Sequence, residues 1–435
     1  MIKFWNNPFL STGAGISLVL LITASVHAQD QIQFFNDTLS IGGESRFRGE
    51  YLDDYYNTSG SSDVDDSRLL MRNMLHLDYH PDDTWKVFVE LMDSRAFFSN
   101  SIDRYAVSNT FEDDIDIFQA YIQANHLMDS PLSLTLGRQT LIYGRQRLVG
   151  AFLWSNTARS FDGVKARLDL EEWGGWIDMF AVNVVEHDWG ELNDIWANED
   201  DFYGIYSNWT SLGWVDFLEA YYLLKNADAL DTEVHTLGVR LGSTYDSGWD
   251  WEIELAGQLG DFEGQDHSAF ALAYQAGYTF QHDWKPRLAL GYNWSPGDDD
   301  PDDDDHETFD NLYPTNHLHY GQMDLVSWRN MHDIELELSA VPIAKLVTRA
   351  EYHAFIIDEP DTDHWYNAAG GIVRRGTPGA DRYLGSEIDL TVTYAIAEWM
   401  SLEAGYSHFF AGSFVDDTGG DDDADFGYLM ATLKF

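Results

Sequence analysis

The stretch Arg68 to Tyr79, RLLMRNMLHLDY, contains the pattern that decides the fold. Apolar side chains occupy alternate positions along its length, and Arg72, His76 and Asp78 fall between them. Successive side chains of a β-strand point to opposite faces, so this stretch predicts a strand with one apolar face. A strand of this kind needs an apolar medium on one side.

The same alternation recurs along the rest of the chain, clearly at Trp249 to Leu259 and at Asp333 to Ala340. We predict eighteen strands, and since such boundaries are good to about 2–4 residues, sixteen is the alternative count. An even number is expected of a single-chain bacterial barrel. The predicted strands are 38–51, 67–79, 84–98, 114–126, 131–142, 160–170, 174–187, 200–210, 213–225, 233–244, 249–261, 269–280, 285–294, 327–340, 343–358, 382–395, 399–411 and 424–435.

Two features favour a transmembrane antiparallel β-barrel over a soluble sandwich. Tryptophans cluster near the predicted strand ends, which is typical of the aromatic girdles at membrane interfaces. The last strand alternates and ends on Phe435, the kind of terminus that outer-membrane assembly machinery binds. Short periplasmic turns are predicted at 211–213 and at Val341-Pro342, and long loops alternate with them. The girdle candidates are Trp85, Trp214, Trp249, Trp284, Trp294 and Trp399.

The N-terminus predicts export. Residues 1–28 have a basic start, an apolar stretch at 15–24 and small residues before a cleavage position after Ala28, the pattern of a signal peptide. Later apolar runs are too short for a membrane-spanning helix, which needs about 20 apolar residues. We therefore predict that residues 29–435 form one barrel domain in the outer membrane of a Gram-negative bacterium, in contact with its lipid.

Composition excludes several classes of function. The chain has 25 Lys and Arg against 74 Asp and Glu, a net charge of −49, which argues against nucleic-acid binding. Because it has no cysteine, it cannot form a disulfide framework or a thiolate metal site. We predict no cofactor and no metal site. The run from Asp298 to Asp305 is interpreted as a solvated, self-repelling loop, with calcium binding as the alternative.

The basic residues are concentrated in the first part of the chain. Residues 31–170 contain 13 Lys and Arg with 21 acids, whereas 171–435 contain 11 with 52 acids. The first six strands of a closed barrel form one arc of wall, so these residues should gather on one side of the lumen. Alternation points Lys165, Arg167, Arg240 and Arg349 inward. Strict alternation puts Arg138 outward, and a bulge at Gly137 or a strand-end position would accommodate it.

The longest segment of distinctive sequence is 136–167, LGRQTLIYGRQRLVGAFLWSNTARSFDGVKAR, and others are 291–297, 308–324 and 384–389 with 405–410. These segments resemble the bacterial alginate-export outer-membrane porins. The resemblance implies a monomeric eighteen-stranded barrel with an arginine-lined conduit for an anionic polysaccharide. By it, Arg138, Arg145, Arg147, Arg159, Lys165 and Arg167 line the conduit, with Arg46, Arg48 and Arg72 as neighbours on the wall.

The sequence thus predicts a channel for an alginate-like polyuronate or its oligosaccharides, crossed by passive diffusion, and not an enzyme. A general or carbohydrate-uptake porin of low selectivity is the first alternative, and a structural barrel is another. An outer-membrane enzyme would have to use His317 and His319 with Asp310 or Asp324, and their spacing matches no catalytic motif. The loop 295–326 is long enough to form a gate.

Overall fold

Alternating side chains along eighteen antiparallel strands build a closed barrel in the computed structural model, which describes residues 32–435 except 35–37, 57–63, 102–109, 188–191, 195, 211 and 421. The predicted signal peptide, residues 1–28, lies outside the described residues. The barrel strands are β1 (Leu39–Tyr55), β2 (Val64–Tyr79), β3 (Trp85–Phe97), β4 (Asp113–Ala124), β5 (Leu132–Gln139), β6 (Phe161–Leu170), β7 (Gly175–Val185), β8 (Trp196–Trp209), β9 (Phe217–Ala227), β10 (Thr232–Thr244), β11 (Trp249–Phe262), β12 (Gln265–Thr279), β13 (Arg287–Ser295), β14 (Met331–Ile343), β15 (Leu346–Ile357), β16 (Tyr383–Ala397), β17 (Met400–Ala411) and β18 (Ala424–Lys434).

The barrel closes between its first and last strands. β1 pairs antiparallel with β18, from Glu44 opposite Lys434 to Asp53 opposite Asp425. At the chain end, the Phe435 amide donates to the Gly43 carbonyl at 3.0 Å, and the Gly43 amide donates back at 2.8 Å. Every barrel strand therefore has two partners, which removes exposed sheet edges. The predicted eighteen-stranded antiparallel barrel is confirmed, and the alternative of sixteen strands is wrong.

The two faces of the wall differ as the alternation requires. On β16, Ile388, Leu390 and Val392 are 38%, 48% and 42% exposed on the outside. Glu387 and Asp389, which alternate with them, are buried on the inside. An outward apolar band can face hydrocarbon, and an inward polar surface can face water. The position of the polar groups therefore makes the lumen the place for a functional site.

Exposed tryptophans mark the end of the barrel that has the short turns. Trp85, Trp214, Trp249, Trp284 and Trp399 are all exposed there. The sixth predicted girdle residue, Trp294, lies at the opposite end of its strand and is half-buried. Short turns face the periplasm in barrels of this kind, so we call this end periplasmic and the other extracellular.

One predicted turn was misplaced. Val341 and Pro342 belong to β14, and the chain reverses at Ala344 and Lys345 instead. Lys345 has a φ of 69°, the left-handed conformation that a tight turn requires. Proline is tolerated in β14 because the register shifts between Ala340 and Ile343, at a bulge where no ladder hydrogen bond is needed.

Short elements complete the described chain. One α-helix, α1 (Ser413–Thr418), lies in the loop before β18. No helix among the described residues is long and apolar enough to cross a membrane. The 3-10 helices are Leu127–Asp129, Glu171–Trp173, Asp228–Leu230 and Asn316–Leu318, and the short strands outside the barrel set are Ile32–Phe34, Asp305–His306, His364–Tyr366 and Ile372–Arg375.

Candidate functional site

Two long extracellular loops fold into the lumen and determine what the inward side chains can do. We call them inner loop A (residues 140–160, between β5 and β6) and inner loop B (residues 296–330, between β13 and β14). Both are rich in buried residues. The loop predicted as a candidate gate, 295–326, corresponds to inner loop B.

Inner loop A crosses the lumen from one wall to the other. On one side, Arg46 of β1 and Arg72 of β2 donate to the Leu153 carbonyl at 2.7 and 2.8 Å. On the other side, the Arg147 guanidinium lies 3.1 Å from the Glu254 carboxylate of β11. β1 and β11 lie on nearly opposite sides of the ring of strands. Inner loop A is therefore held at both ends by charged contacts.

Inner loop B packs directly on inner loop A. The Gly150 amide donates to the Tyr313 carbonyl at 2.8 Å, and the Tyr313 amide donates to the Leu148 carbonyl at 2.9 Å. The Arg159 guanidinium adds a bond of 2.9 Å to the Pro314 carbonyl. Burial lowers the pKa of Arg159 to about 10, which still leaves it charged at neutral pH. The two loops are therefore joined to each other by hydrogen bonds inside the barrel.

Inner loop B is anchored to a third part of the wall. The Asp310 carboxylate accepts from the Lys225 ammonium of β9 at 2.8 Å. Burial would raise the pKa of Asp310, but Lys225 and Arg329 outweigh it and lower that pKa to about 2. On β16, the Glu387 carboxylate accepts from the Met323 amide at 2.9 Å. Phe309, Tyr320 and Trp328 are fully buried around these anchors, so this level of the lumen is packed.

The first group of predicted conduit residues lies inside the barrel but beneath inner loop A. Arg48 pairs with Glu50 at 2.6 Å and donates to the Trp154 carbonyl at 2.7 Å. Its guanidinium also lies 3.7 Å from the centre of the Trp154 ring. Arg72 pairs with Glu44 at 3.0 Å, and Arg46 donates to backbone carbonyls of the loop. All three arginine side chains are buried, so they hold the loop in place.

A second group surrounds one carboxylate. Arg145, Arg147 and Arg240 lie 3.1, 3.3 and 3.0 Å from the Glu252 carboxylate of β11. Burial would lower the pKa of Arg147, but Glu252 and Glu254 outweigh it and raise that pKa above its ordinary value. Arg147 and Arg240 are buried, whereas the Arg145 side chain keeps 24% exposure. Arg145 is therefore the member of this group that a solute can reach.

The third group keeps more exposure. Arg167 of β6 pairs with Asp178 at 2.6 Å, lies 4.1 Å from the centre of the Trp176 ring, and keeps 28% of its side chain exposed. Arg349 of β15 pairs with Glu351 at 3.2 Å and keeps 22% exposed. Lys165, also on β6, is half-buried and makes no ion pair with the described residues. These three cations therefore keep part of their side chains exposed inside the barrel.

Arg138 lies at the extracellular end of β5. It shares the parity of Leu134 and Leu136, which are exposed on the outer face, and no register shift interrupts β5. The bulge considered at Gly137 is therefore absent from this pairing, and the strand-end position accommodates the charge. Its guanidinium pairs with Asp162 at 2.9 Å and is covered by the backbone of Asp194.

Sequence reasoning did not identify the acidic wall that faces inner loop B. One oxygen each from Glu335, Glu337 and Glu351 lies within 4.8 Å of the others on β14 and β15. Glu387 and Asp389 continue this surface on β16. Alternation predicts that these residues face inward. It does not predict that they lie close together, because that depends on how the strands pair. Lys165 and Arg167 thus lie inward on β6, whereas a group of inward carboxylates lies on β14 to β16.

The residues considered for catalysis do not converge. The His317 ring stacks on Trp154 with 3.8 Å between centres, and its Nδ1 lies 3.1 Å from Asp324. His319 donates from Nε2 to the Arg145 carbonyl at 2.7 Å. Burial, together with Arg147 and Arg145, keeps the pKa of His319 well below its ordinary value. Asp310 is occupied by Lys225. Each of these residues therefore has a packing role in the inner loops.

Comparison with known families identifies the chain. The alginate export family matches residues 37–428, nearly the whole barrel. The chain belongs to the alginate export family. Together with the closed barrel and its polar lumen, membership makes this alginate-export protein an outer-membrane channel of porin type. The resemblance seen in the sequence is confirmed. A comparison with curated proteins finds no match.

Solved porin structures share the fold of this alginate-export family member. Acinetobacter baumannii OccAB3 has a TM-score of 0.63 and 12% identity, covering 91% of this chain and 99% of that one. Pseudomonas aeruginosa OccK9 (OpdG) has a TM-score of 0.63 and 12% identity, covering 93% and 100%. P. aeruginosa OccK2 (OpdF), solved in complex with glucuronate, has a TM-score of 0.61 and 11% identity, covering 93% and 99%. At these identities the similarity shows the fold alone.

Proposed function

We propose that this channel passes anionic, uronate-containing oligosaccharides by passive diffusion along the basic wall of the lumen. The observation that carries the proposal is the pair Lys165 and Arg167 on β6. Lys165 lacks an ion-pair partner among the described residues, and the Arg167 guanidinium is partly exposed beside the Trp176 ring. The partly exposed Arg145 supplies further positive charge in the lumen.

The chemistry of these side chains suits a sugar acid. A guanidinium binds a carboxylate through two parallel hydrogen bonds, and rings of Arg and Lys are how pores select anions. An indole ring offers a flat apolar surface to the face of a sugar ring. The acidic wall on β14 to β16 repels an anion, so it directs a uronate toward β6. In this arrangement β6 attracts the uronate and the opposite wall of the lumen repels it, so both sides determine its path.

The acidic extracellular loops are compatible with an anion path. The run from Asp298 to Asp305 lies at the loop end of the barrel, and its residues from Asp299 onward are mostly exposed. Exposed charges are screened over about 8–10 Å in ordinary salt. Charges in the lumen farther away than this are therefore felt by the solute independently of the run.

The packing of the inner loops favours the passage of short oligosaccharides over long polysaccharides. Loops A and B bond to each other and to three regions of wall, so a long polymer would need them displaced. The family name associates the fold with alginate, a polyuronate, and OccK2, which shares the fold, was solved in complex with glucuronate. Both support an acidic sugar as the solute of this chain, which we propose acts as a monomer.

A general porin of low selectivity is the second candidate. The observation that favours it is the pairing of most lumenal arginines with carboxylates, such as Arg240 with Glu219 and Arg287 with Asp250. A lumen with compensated charge on both walls would discriminate weakly between solutes. The two candidates differ in whether a uronate binds during passage.

Single-channel recording of the refolded chain in a planar bilayer distinguishes them. We expect a reversal potential of the sign that indicates anion preference under a salt gradient, and brief current blocks by alginate oligosaccharides. Neutral oligosaccharides of the same length serve as the control and should not block. Cation preference together with equal behaviour toward both solutes would overturn the uronate proposal and support a general porin.

A further inference from the structure

A compact cluster of possible metal ligands lies at the extracellular rim, where the Asp194 backbone also contacts Arg138. Asp113 begins β4, His187 follows the end of β7, and Asp194 lies in the loop beyond it. One ligand atom from each lies within 4.8 Å of the other two. His187 Nδ1 is 3.1 Å from an Asp194 carboxylate oxygen and 3.5 Å from one of Asp113. Two separate parts of the chain, the start of β4 and the connection after β7, thus meet at one point.

The orientation of the His187 ring is fixed by its second nitrogen. His187 Nε2 lies 3.0 Å from the Ala158 carbonyl oxygen. A carbonyl can only accept, so Nε2 carries the hydrogen and the neutral ring presents the Nδ1 lone pair to two carboxylates. This contact is favourable only when Nδ1 holds a proton or a metal ion. A metal-bound histidine typically donates its other nitrogen to a backbone carbonyl in this way.

Asp113 adds a second observation that a cation belongs here, in the form of a protonated His187 or of a metal ion. Asp113 is 1% exposed, and neither of its carboxylate oxygens accepts a hydrogen bond from the described residues. Burying a carboxylate without a donor is costly. The Asp113 oxygen nearest the cluster points toward His187 Nδ1. A cation between these groups would satisfy the carboxylate and the ring nitrogen together.

Although no metal site was predicted from the sequence, we propose that Asp113, His187 and Asp194 bind a divalent first-row metal ion, with Zn²⁺ as the ion of best fit. Tetrahedral Zn²⁺ with bonds of about 2.0–2.1 Å holds its ligand atoms about 3.3 Å apart. The two distances from His187 Nδ1 lie on either side of that value. An imidazole favours Zn²⁺ over Ca²⁺ or Mg²⁺, which prefer oxygen ligands alone. Water completes the fourth position.

The site would fasten the extracellular rim to inner loop A. Its ligands come from the start of β4 and from the connection after β7, and His187 also bonds to Ala158 of inner loop A. The backbone of Asp194 is itself held, because its amide donates to Asp116 at 3.2 Å. Metal occupancy therefore stabilises the loop that crosses the lumen. This inference is independent of which solute the channel passes.

Titration of the full refolded chain with Co²⁺ and then Zn²⁺ tests the proposal. We expect visible absorption typical of tetrahedral Co²⁺ that saturates at one equivalent and is displaced by Zn²⁺. Asp113→Asn and His187→Gln should each weaken Zn²⁺ binding at least tenfold. The matched control is Asp298→Asn, which removes a carboxylate from the acidic run and should leave the site unchanged. Heat-dependent gel mobility checks that each variant has formed a barrel.

Three results would overturn the proposal. The first is a wild-type chain that shows no one-equivalent tetrahedral Co²⁺ signal, a result that needs no variant to fold. The second is equal Zn²⁺ affinity in the wild type and in folded Asp113→Asn. The third is loss of tight binding in Asp298→Asn, which would assign the metal to the acidic run. In the first two cases, a protonated His187 paired with two carboxylates is the correct description.

Discussion

Glu252→Gln is the substitution with the largest expected consequence in the lumen. Glu252 is buried and lies within 3.3 Å of three guanidinium groups, those of Arg145, Arg147 and Arg240. The substitution removes one negative charge and keeps the shape of the side chain. Arg147 retains Glu254 and Arg240 retains Glu219. Arg145 loses its ion pair, which connects inner loop A to β11.

The magnitude follows from the hydrogen bonds that the substitution breaks. A hydrogen bond to a charged group contributes about 1.5–3 kcal/mol. The glutamine that replaces Glu252 has one acceptor oxygen. That oxygen can accept either from Arg145 and Arg147, since both donate to Oε1 of the glutamate, or from Arg240, which donates to Oε2. The partly exposed Arg145 can also be hydrated. We therefore expect a loss of about 3 kcal/mol in the free energy of unfolding, which is within the range for breaking a buried ion pair. The added positive charge should also increase anion preference.

Urea unfolding in lipid vesicles, followed by tryptophan fluorescence, measures the first effect, and the reversal potential measures the second. Glu398→Gln is the matched control, because it makes the same chemical change at an exposed periplasmic turn. It should alter neither quantity. A Glu252→Gln chain with the wild-type unfolding midpoint and the wild-type reversal potential would refute the role assigned to this carboxylate.

Three further predictions concern the loops and the chain end. Arg46→Gln combined with Arg72→Gln removes the bonds to the Leu153 carbonyl, so single-channel recordings should show more frequent or larger openings; an unchanged conductance would argue against loop A as an obstruction. Because the folded pKa of Asp310 is about 2, below its ordinary value of about 3.9, its anchor stabilises inner loop B above about pH 4 and is lost as the pH falls through about 2. The difference in tryptophan fluorescence between the wild type and Asp310→Asn should therefore stay constant from pH 7 to 4 and disappear near pH 2; a difference that disappears near pH 5 would contradict this. Deleting Phe435 removes both closing bonds to Gly43, so the amount of closed barrel should fall, whereas Phe435→Tyr keeps both backbone bonds and should close normally.

The barrel could be predicted from the sequence because the alternation that specifies each strand lies within that strand. A period of two is visible in any ten residues, and it located all eighteen strands, including Arg68 to Tyr79 within β2. It failed where apolar residues serve another purpose. The predicted strand at 327–340 began four residues early because Trp328 packs in inner loop B, where it is fully buried.

The arrangement of the lumen could not be predicted in the same way. Alternation directs Lys165, Arg167, Arg240 and Arg349 inward, but it gives no information on what lies opposite them. Arg46 meets Leu153 across 107 residues of sequence, and Arg145 meets Glu252 across another 107. Such contacts depend on loops folding into the barrel, for which the sequence has no periodic signal.

The central claim is that the solute passes along the basic residues of β6. The anion permeability of a double variant, compared with that of a control variant, tests this claim most directly. Lys165→Gln with Arg167→Gln removes two positive charges from β6 and leaves the anchors of both inner loops in place. Arg382→Gln is the control, since its side chain is 53% exposed in an extracellular loop. We predict that the double variant loses most of its anion preference and its block by alginate oligosaccharides, while the control keeps both. A double variant with wild-type selectivity and block would contradict the basic wall as the path of the solute.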